Sequence, residues 1–188
     1  MSDVKQDFLL TRRSFLLGGA AASSLLILPS AAWASKPKKI LGVRTLAFDH
    51  LHTGEKAKIT YWEHGKYIPD ALAEVNHILR DHHNGKVHKI DRNLLNLLHA
   101  LHKKVGSNQP FKVICGYRSP ETNAMMHENS TGVAKHSMHI EGRAVDIALA
   151  DRPLRDLRRA ALGLRDGGVG YYPESQFVHV DTGPIRKW

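Results

Sequence analysis

"KHSMHIEGRAVDI", residues 135–147, sets His136, His139 and Asp146 around Gly142, in a chain of 188 residues with thirteen histidines and one cysteine. His139 and Asp146 are seven positions apart. Adjacent ligands on one helix face are three or four apart, so a spacing of seven is too long for a helix to bring both to one ion. A chain that turns at Gly142 and returns as a strand brings both to one point. Glycine permits the dihedral angles of such a turn, and Ala144 leaves room for the returning chain. Neutral imidazole with carboxylate is a donor pair that suits zinc. A third donor has to come from elsewhere.

"FVHVD", residues 177–181, supplies it. Strand alternation puts Phe177, His179 and Asp181 on one face and Val178 and Val180 on the other. The valines enter the core, and His179 and Asp181 meet the first motif. A His₂Asp set with an open fourth position is what a metallohydrolase requires. His50, His52, His64, His77, His82, His83, His88, His99, His102 and His127 sit in polar or helical contexts without a matching carboxylate. They read as surface or packing residues, His82-His83 being at most a weak adventitious metal site.

The framework around these motifs alternates short strands and helices. "RTLAFDHLHTGEKAKITYW" reads as a hairpin turning at Thr53-Gly54-Glu55. "PDALAEVNHILRDHH" has Leu72, Val75, Ile78 and Leu79 at helical spacing. "DRNLLNLLHALHKKVG" is the clearest helix, with Asp91 as its cap, Leu94, Leu98, Leu101 and Val105 on one face and Gly106 as its stop. "FKVICGYRS" is a buried strand running into a turn, and "SPETNAMMHE" is a helix capped by Ser119 with Pro120 in its first position. "AVDIAL", "GVGYYP" and "QFVHVDTG" are strands, and "PLRDLRRAALGLRDG" is an amphipathic helix. This order predicts an α+β domain, a small antiparallel sheet carrying the zinc site and packed with several helices.

The N-terminus is separate. Arg12-Arg13 precede Ser14-Phe15-Leu16-Leu17, an apolar run extends to Leu28, and Ala32-Trp33-Ala34 is a small-residue site. This looks like a bacterial twin-arginine export signal over 1–34, with cleavage expected after Ala34 and a mature domain over 35–188. The run is shorter than the roughly 20 residues that span a bilayer, so no stable membrane span is expected after cleavage. Expected localisation is the periplasm. Past residue 34 the chain carries 24 Lys+Arg against 16 Asp+Glu, a balance suited to anionic polymers. The cations are scattered, with no basic helical stripe and interleaved aromatics, so nucleic acid is not the expected partner. Cys115, without a second cysteine to pair with, reads as a small core residue.

Ser-x-His-x-x-Gly-x-Ala-x-Asp at 137–146, preceded by "GYRSPETN" and followed by "FVHVD", resembles the zinc peptidases that act on bacterial peptidoglycan. These are the D-Ala-D-Ala metallopeptidase group, related in fold to lysostaphin-type enzymes and the hedgehog domain. The export signal and the ending "VHVDTGPIRKW" are similar to the YcbK-type murein endopeptidases. The resemblance implies Zn²⁺ on His139, Asp146 and His179. Arg118 matches the family's substrate-facing arginine, which would stabilise the oxyanion of a tetrahedral intermediate. It implies peptidoglycan stem peptides as partner, cut between two diaminopimelates or between D-Ala and diaminopimelate. The alternatives are carboxypeptidase trimming of stems and a non-catalytic zinc-stabilised wall-binding domain.

The general base departs from better-known relatives. They place Glu three residues, or His two, before the last zinc ligand; here those positions are Gln176 and Phe177. Asp181 is the leading candidate, His136 the second and Glu141 the third. The other role open to Asp181 is to orient a metal-bound imidazole.

Overall fold

The computed structural model describes residues 42–130 and 132–188. The expected signal segment and its cleavage site lie outside the described residues. Among the described residues, no helix is long and apolar enough to cross a membrane.

The elements run β1 (Arg44–His50), β2 (Lys56–Glu63), β3 (Lys66–Tyr67), α1 (Pro69–Ile78), α2 (Arg92–Val105), β4 (Phe111–Cys115), α3 (Pro120–Asn129), β5 (Ala144–Ala148), α4 (Leu154–Leu162), β6 (Gly168–Tyr172), β7 (Phe177–Asp181) and β8 (Arg186–Lys187). The α+β class is as read. Among the described residues the eight strands join one sheet, in the order β3-β2-β1-β4-β5-β7-β6-β8. Most pairings are antiparallel, but β1 with β4 and β6 with β8 run parallel, so the sheet is mixed and larger than expected. The parallel pair β1/β4 arises because α1 and α2 intervene and carry the chain back to the starting end.

Helix α2 forms where the sequence placed it. The Asp91 carboxylate accepts the Asn93 N–H at 2.9 Å, and Gly106 closes the other end in the left-handed conformation. Its leucines Leu94, Leu95, Leu98 and Leu101 are fully buried, each contributing about 1.5–3 kcal/mol of apolar burial. Helix α1 ends at Ile78, earlier than its apolar pattern suggests. Asp81 explains the end: its carboxylate accepts the backbone N–H groups of His83 (2.9 Å) and Ser119 (2.8 Å), offering the chain an alternative to helix.

Alternation on β5, β6 and β7 separates the two faces of the sheet. Val145, Ile147, Val169, Val178 and Val180 join the hydrophobic core with the leucines of α2 and Leu157 of α4. Asp146, Gly170, Tyr172, Phe177, His179 and Asp181 occupy the alternate positions. The chemistry is built on that second face.

Candidate metal centre

Strand register assembles the centre as one row across four strands. Cys115 on β4 pairs with Asp146 on β5, Asp146 with His179 on β7, and His179 with Gly170 on β6. Directly paired residues on one face of a sheet bring their side chains together. His139 joins the row from the turn before β5. That turn closes through Gly142 N–H to His139 C=O (3.2 Å) and Arg143 N–H to Met138 C=O (3.0 Å). Gly142 has φ +65°, and a Cβ there would stand 2.5 Å from the Lys89 carbonyl oxygen, so only glycine makes this turn without displacing the neighbouring chain.

Three donor atoms converge. His139 Nε2 lies 3.1 Å from His179 Nδ1 and 3.3 Å from Asp146 Oδ1, and His179 Nδ1 lies 2.8 Å from the same oxygen. Tetrahedral zinc bonds at about 2.0–2.1 Å imply donors roughly 3.3 Å apart, so the triangle fits such an ion. The opposite ring nitrogens are held from behind. His139 Nδ1 is 2.7 Å from the Gly116 carbonyl and His179 Nε2 is 3.1 Å from Asp181 Oδ2. Each partner accepts a hydrogen bond from its ring N–H, which leaves the lone pairs of Nε2 and Nδ1 facing the centre.

All three residues are buried. Burial pushes the Asp146 pKa up, but the neighbouring His139 charge and hydrogen bonds from both imidazoles outweigh it and hold the carboxyl well below its usual range. For His139, burial pulls the pKa down, and the Asp146 charge with the Cys115 sulfur overcomes it.

Arg118 lies beside the centre, only 8% exposed. It donates through Nη1 to Asn123 Oδ1 (3.3 Å) and through Nη2 to Cys115 Sγ (3.5 Å), while its Nε is buried without a partner. It makes no ion pair among the described residues. A buried guanidinium without a carboxylate is costly unless an anion comes to meet it. Asn123 also ties helix α3 to the incoming loop through the carbonyls of Ala134 (3.1 Å) and Lys135 (3.3 Å). Ser119 caps α3, accepting the Thr122 N–H at 3.2 Å.

The centre opens into a cavity of about 860 Å³. His136 and Arg118 line it together with His139, Asp146 and His179. His136 is exposed on the wall. Asp181 is on the expected strand face but does not line the cavity. It is fully buried, and its oxygens accept from Gly183 N (2.7 Å), Gly168 N (3.1 Å), His179 Nε2 (3.1 Å) and the Arg186 guanidinium (2.7 and 3.2 Å). With its lone pairs so occupied, it cannot reach a water on the metal side of His179. Glu141 is exposed and paired with Arg143 at 3.1 Å, away from the cavity.

Cys115 is a further feature that sequence reasoning assigned differently. Simple alternation after Phe111 and Val113 sends it into the core. The register shifts between Val113 and Cys115, a β-bulge that re-aims the side chain. Cys115 accordingly lies outside the main apolar cluster, and its sulfur, His139 and Asp146 form a buried group able to hold a metal, ligand atoms within 4.8 Å of one another. No residue type in "FKVICG" signals a bulge.

Comparisons with known proteins identify the family of the chain. The model of the peptidase family described as "Peptidoglycan L,D-endopeptidase MepK" matches residues 38–188. The chain is 42% identical over 179 residues to the peptidoglycan L,D-endopeptidase MepK of Escherichia coli strain K12, covering 94% of this chain and 96% of the relative. The same identity holds for the protein of that name from Shigella flexneri, again over 94% of this chain and 96% of the relative. The probable peptidoglycan L,D-endopeptidase MepK of Haemophilus influenzae is 41% identical over 180 residues, 94% of this chain and 95% of the relative. A family match over residues 38–188, with 41–42% identity over 94% of the chain, places the chain in the peptidoglycan L,D-endopeptidase MepK family of peptidases.

Proposed function

We propose that this protein is an exported zinc endopeptidase that hydrolyses peptide cross-links of peptidoglycan in the periplasm, delivered there by a twin-arginine signal over residues 1–34. The observation that carries the reading is the His139–Asp146–His179 donor triangle on a cavity wall, with the uncompensated guanidinium of Arg118 beside it. Imidazole nitrogen and carboxylate oxygen in a three-donor set favour zinc and leave a position open. When bound, the ion supplies Lewis acidity to a water and to the scissile carbonyl.

The chain's own residues do the rest. Arg118 directs N–H donors at the oxygen on which negative charge develops, in a setting where little water screens it. His136, unpaired among the described residues and exposed on the cavity wall, takes the proton of the attacking water and passes it to the leaving amine. Asp181 holds His179 in one tautomer and orientation, the arrangement that makes a metal-bound imidazole a better donor. It is the positioning residue, and His136 replaces it as the base.

The relatives' names specify an L,D bond. A diaminopimelate–diaminopimelate cross-link joins an L centre to a D centre, whereas D-Ala–diaminopimelate joins two D centres. The former is therefore the proposed substrate. Digestion of purified sacculi, followed by separation of the products, tests this. Loss of diaminopimelate-linked dimers with matching gain of monomeric stems is expected from wild type and not from His139→Ala. Equal product patterns from the two proteins would reject the endopeptidase, and loss of only terminal residues would identify a carboxypeptidase.

A further inference from the structure

The row Cys115–Asp146–His179–Gly170 ends in a residue without a side chain, and another residue fills the place. The Trp188 indole lies over Gly170: a Cβ added there would stand 2.7 Å from Trp188 Cε2 and 2.8 Å from its Nε1. The ring centroids of Trp188 and His179 are 5.3 Å apart. Four further contacts hold the indole. Its Nε1–H donates to the Tyr172 hydroxyl at 2.7 Å, and the Arg186 guanidinium stands 5.0 Å from the ring centroid. The Trp188 backbone accepts from Tyr171 N (3.1 Å) and donates to Val169 O (3.2 Å). Arg186 also clamps Asp181, so one guanidinium supports both the indole and the carboxylate behind His179.

An indole fixed this firmly would ordinarily be covered. Trp188 is instead 46% exposed, and no other Trp or Phe among the described residues is exposed. Beside it Tyr172 stacks on Phe177, centroids 4.5 Å apart, and all three rings line the cavity that holds the metal centre. Rigid aromatic surface next to convergent polar groups is the make-up of a ligand site, and aromatic rings supply contact area at little entropic cost. The side chains of the wall carry no free charge: the one cation, Arg186, is already paired with Asp181. What suits it is apolar.

From this we infer that Trp188, backed by Tyr172 and Phe177, binds an aliphatic segment of the substrate next to the scissile bond. On the endopeptidase reading above, on which this assignment rests, that segment is the methylene arm of a diaminopimelyl residue. Trp188 is then a substrate-binding and specificity-determining residue, and Gly170 is glycine because the indole must lie against the strand.

The test uses the metal-loaded protein and a synthetic diaminopimelate–diaminopimelate cross-linked stem dimer. Trp188→Ala is expected to raise KM about tenfold with kcat within about threefold of wild type, the size of losing one apolar contact surface. Trp188→Phe should fall between, and Gly170→Ala, which dislodges the ring without removing it, should raise KM as well. Bound metal per chain should be unchanged in all three. An unchanged KM in both Trp188 variants, or metal lost in step with activity, would overturn the assignment, the second result reducing Trp188 to a support for His179. Calorimetric binding of the same dimer separates this from failure of the endopeptidase reading. If wild type leaves the dimer intact yet binds it about tenfold more tightly than Trp188→Ala, the wall stands and the activity does not. Equal binding by the two, or none by wild type, sinks the wall.

Discussion

His179 Nε2 lies 3.1 Å from Asp181 Oδ2, on the side of the imidazole ring away from Asp146 and His139. Burial works to raise the Asp181 pKa, but hydrogen bonds from His179, Gly183 and Gly168 bring it down to about 2. The carboxylate is therefore ionised throughout the neutral range and fully committed to its donors. Asp181→Ala is expected to weaken metal affinity about 10- to 100-fold, as loss of such an orienting partner does. At saturating metal most of kcat should return. A metal titration followed by kcat distinguishes this from a lost base, for which kcat would stay low at full occupancy.

His136→Ala should do the reverse. Removing a general base costs about 10²- to 10⁴-fold in rate, and the exposed position of His136 means that folding and metal content should be intact. The check is the kcat of metal-saturated enzyme with bound metal assayed on the same sample.

His139→Ala removes one of three donors and leaves Asp146 buried beside a single imidazole. Stoichiometric zinc should be lost. Wild type should gain thermal stability on zinc addition, because an ion bound only by the native state adds RT ln(1 + [L]/Kd), and the variant should show no such gain. Differential scanning calorimetry with and without zinc measures both.

His82 packs against His52 and His83, ring centroids 4.3 and 4.1 Å apart, with His50 at 5.6 Å. Burial first, then the charges of His83, His52 and His50, lower its pKa from 6.5 to about 4, Asp81 opposing them. Between those values the unfolded chain binds more protons than the folded one, so stability is full above pH 6.5 and falls as pH drops toward 4. Urea midpoints measured across that window should decline in wild type and decline less in His82→Gln. Identical slopes would show that the cluster does not set the acid sensitivity.

Gly142 has φ +65° and a Lys89 carbonyl where its Cβ would go. Gly142→Ala should destabilise by more than about 1 kcal/mol, since both the backbone conformation and the space oppose a side chain. Denaturant midpoints would measure it. Because the same turn carries His139, zinc affinity should fall along with stability.

Much of the centre is written in local sequence. Spacing and alternation make His139, Asp146 and His179 candidate donors, because a glycine turn followed by a strand and a Val-x-Val strand each leave few places for their polar residues, and the resemblance to the zinc peptidases joins them into one set. Caps at Asp91 and Ser119 and the leucine face of α2 are equally local. Other properties depend on strand register and on the ends of the chain's turns. Asp181 was readable as a carboxylate on the His179 face, but its role follows from Gly168, Gly183 and Arg186 surrounding it. Cys115 was readable only as buried, because one irregular pairing between β4 and β5 turns its sulfur toward the centre. Trp188 was readable only as part of a closing motif, because its seat exists once β8 lies against β6 and Gly170 is left open. Residue types and periodicity determine which groups can meet; the nitrogen that faces the ion, the carboxylate that stays behind it and the indole that walls the cavity are decided by contacts between strands far apart in the chain.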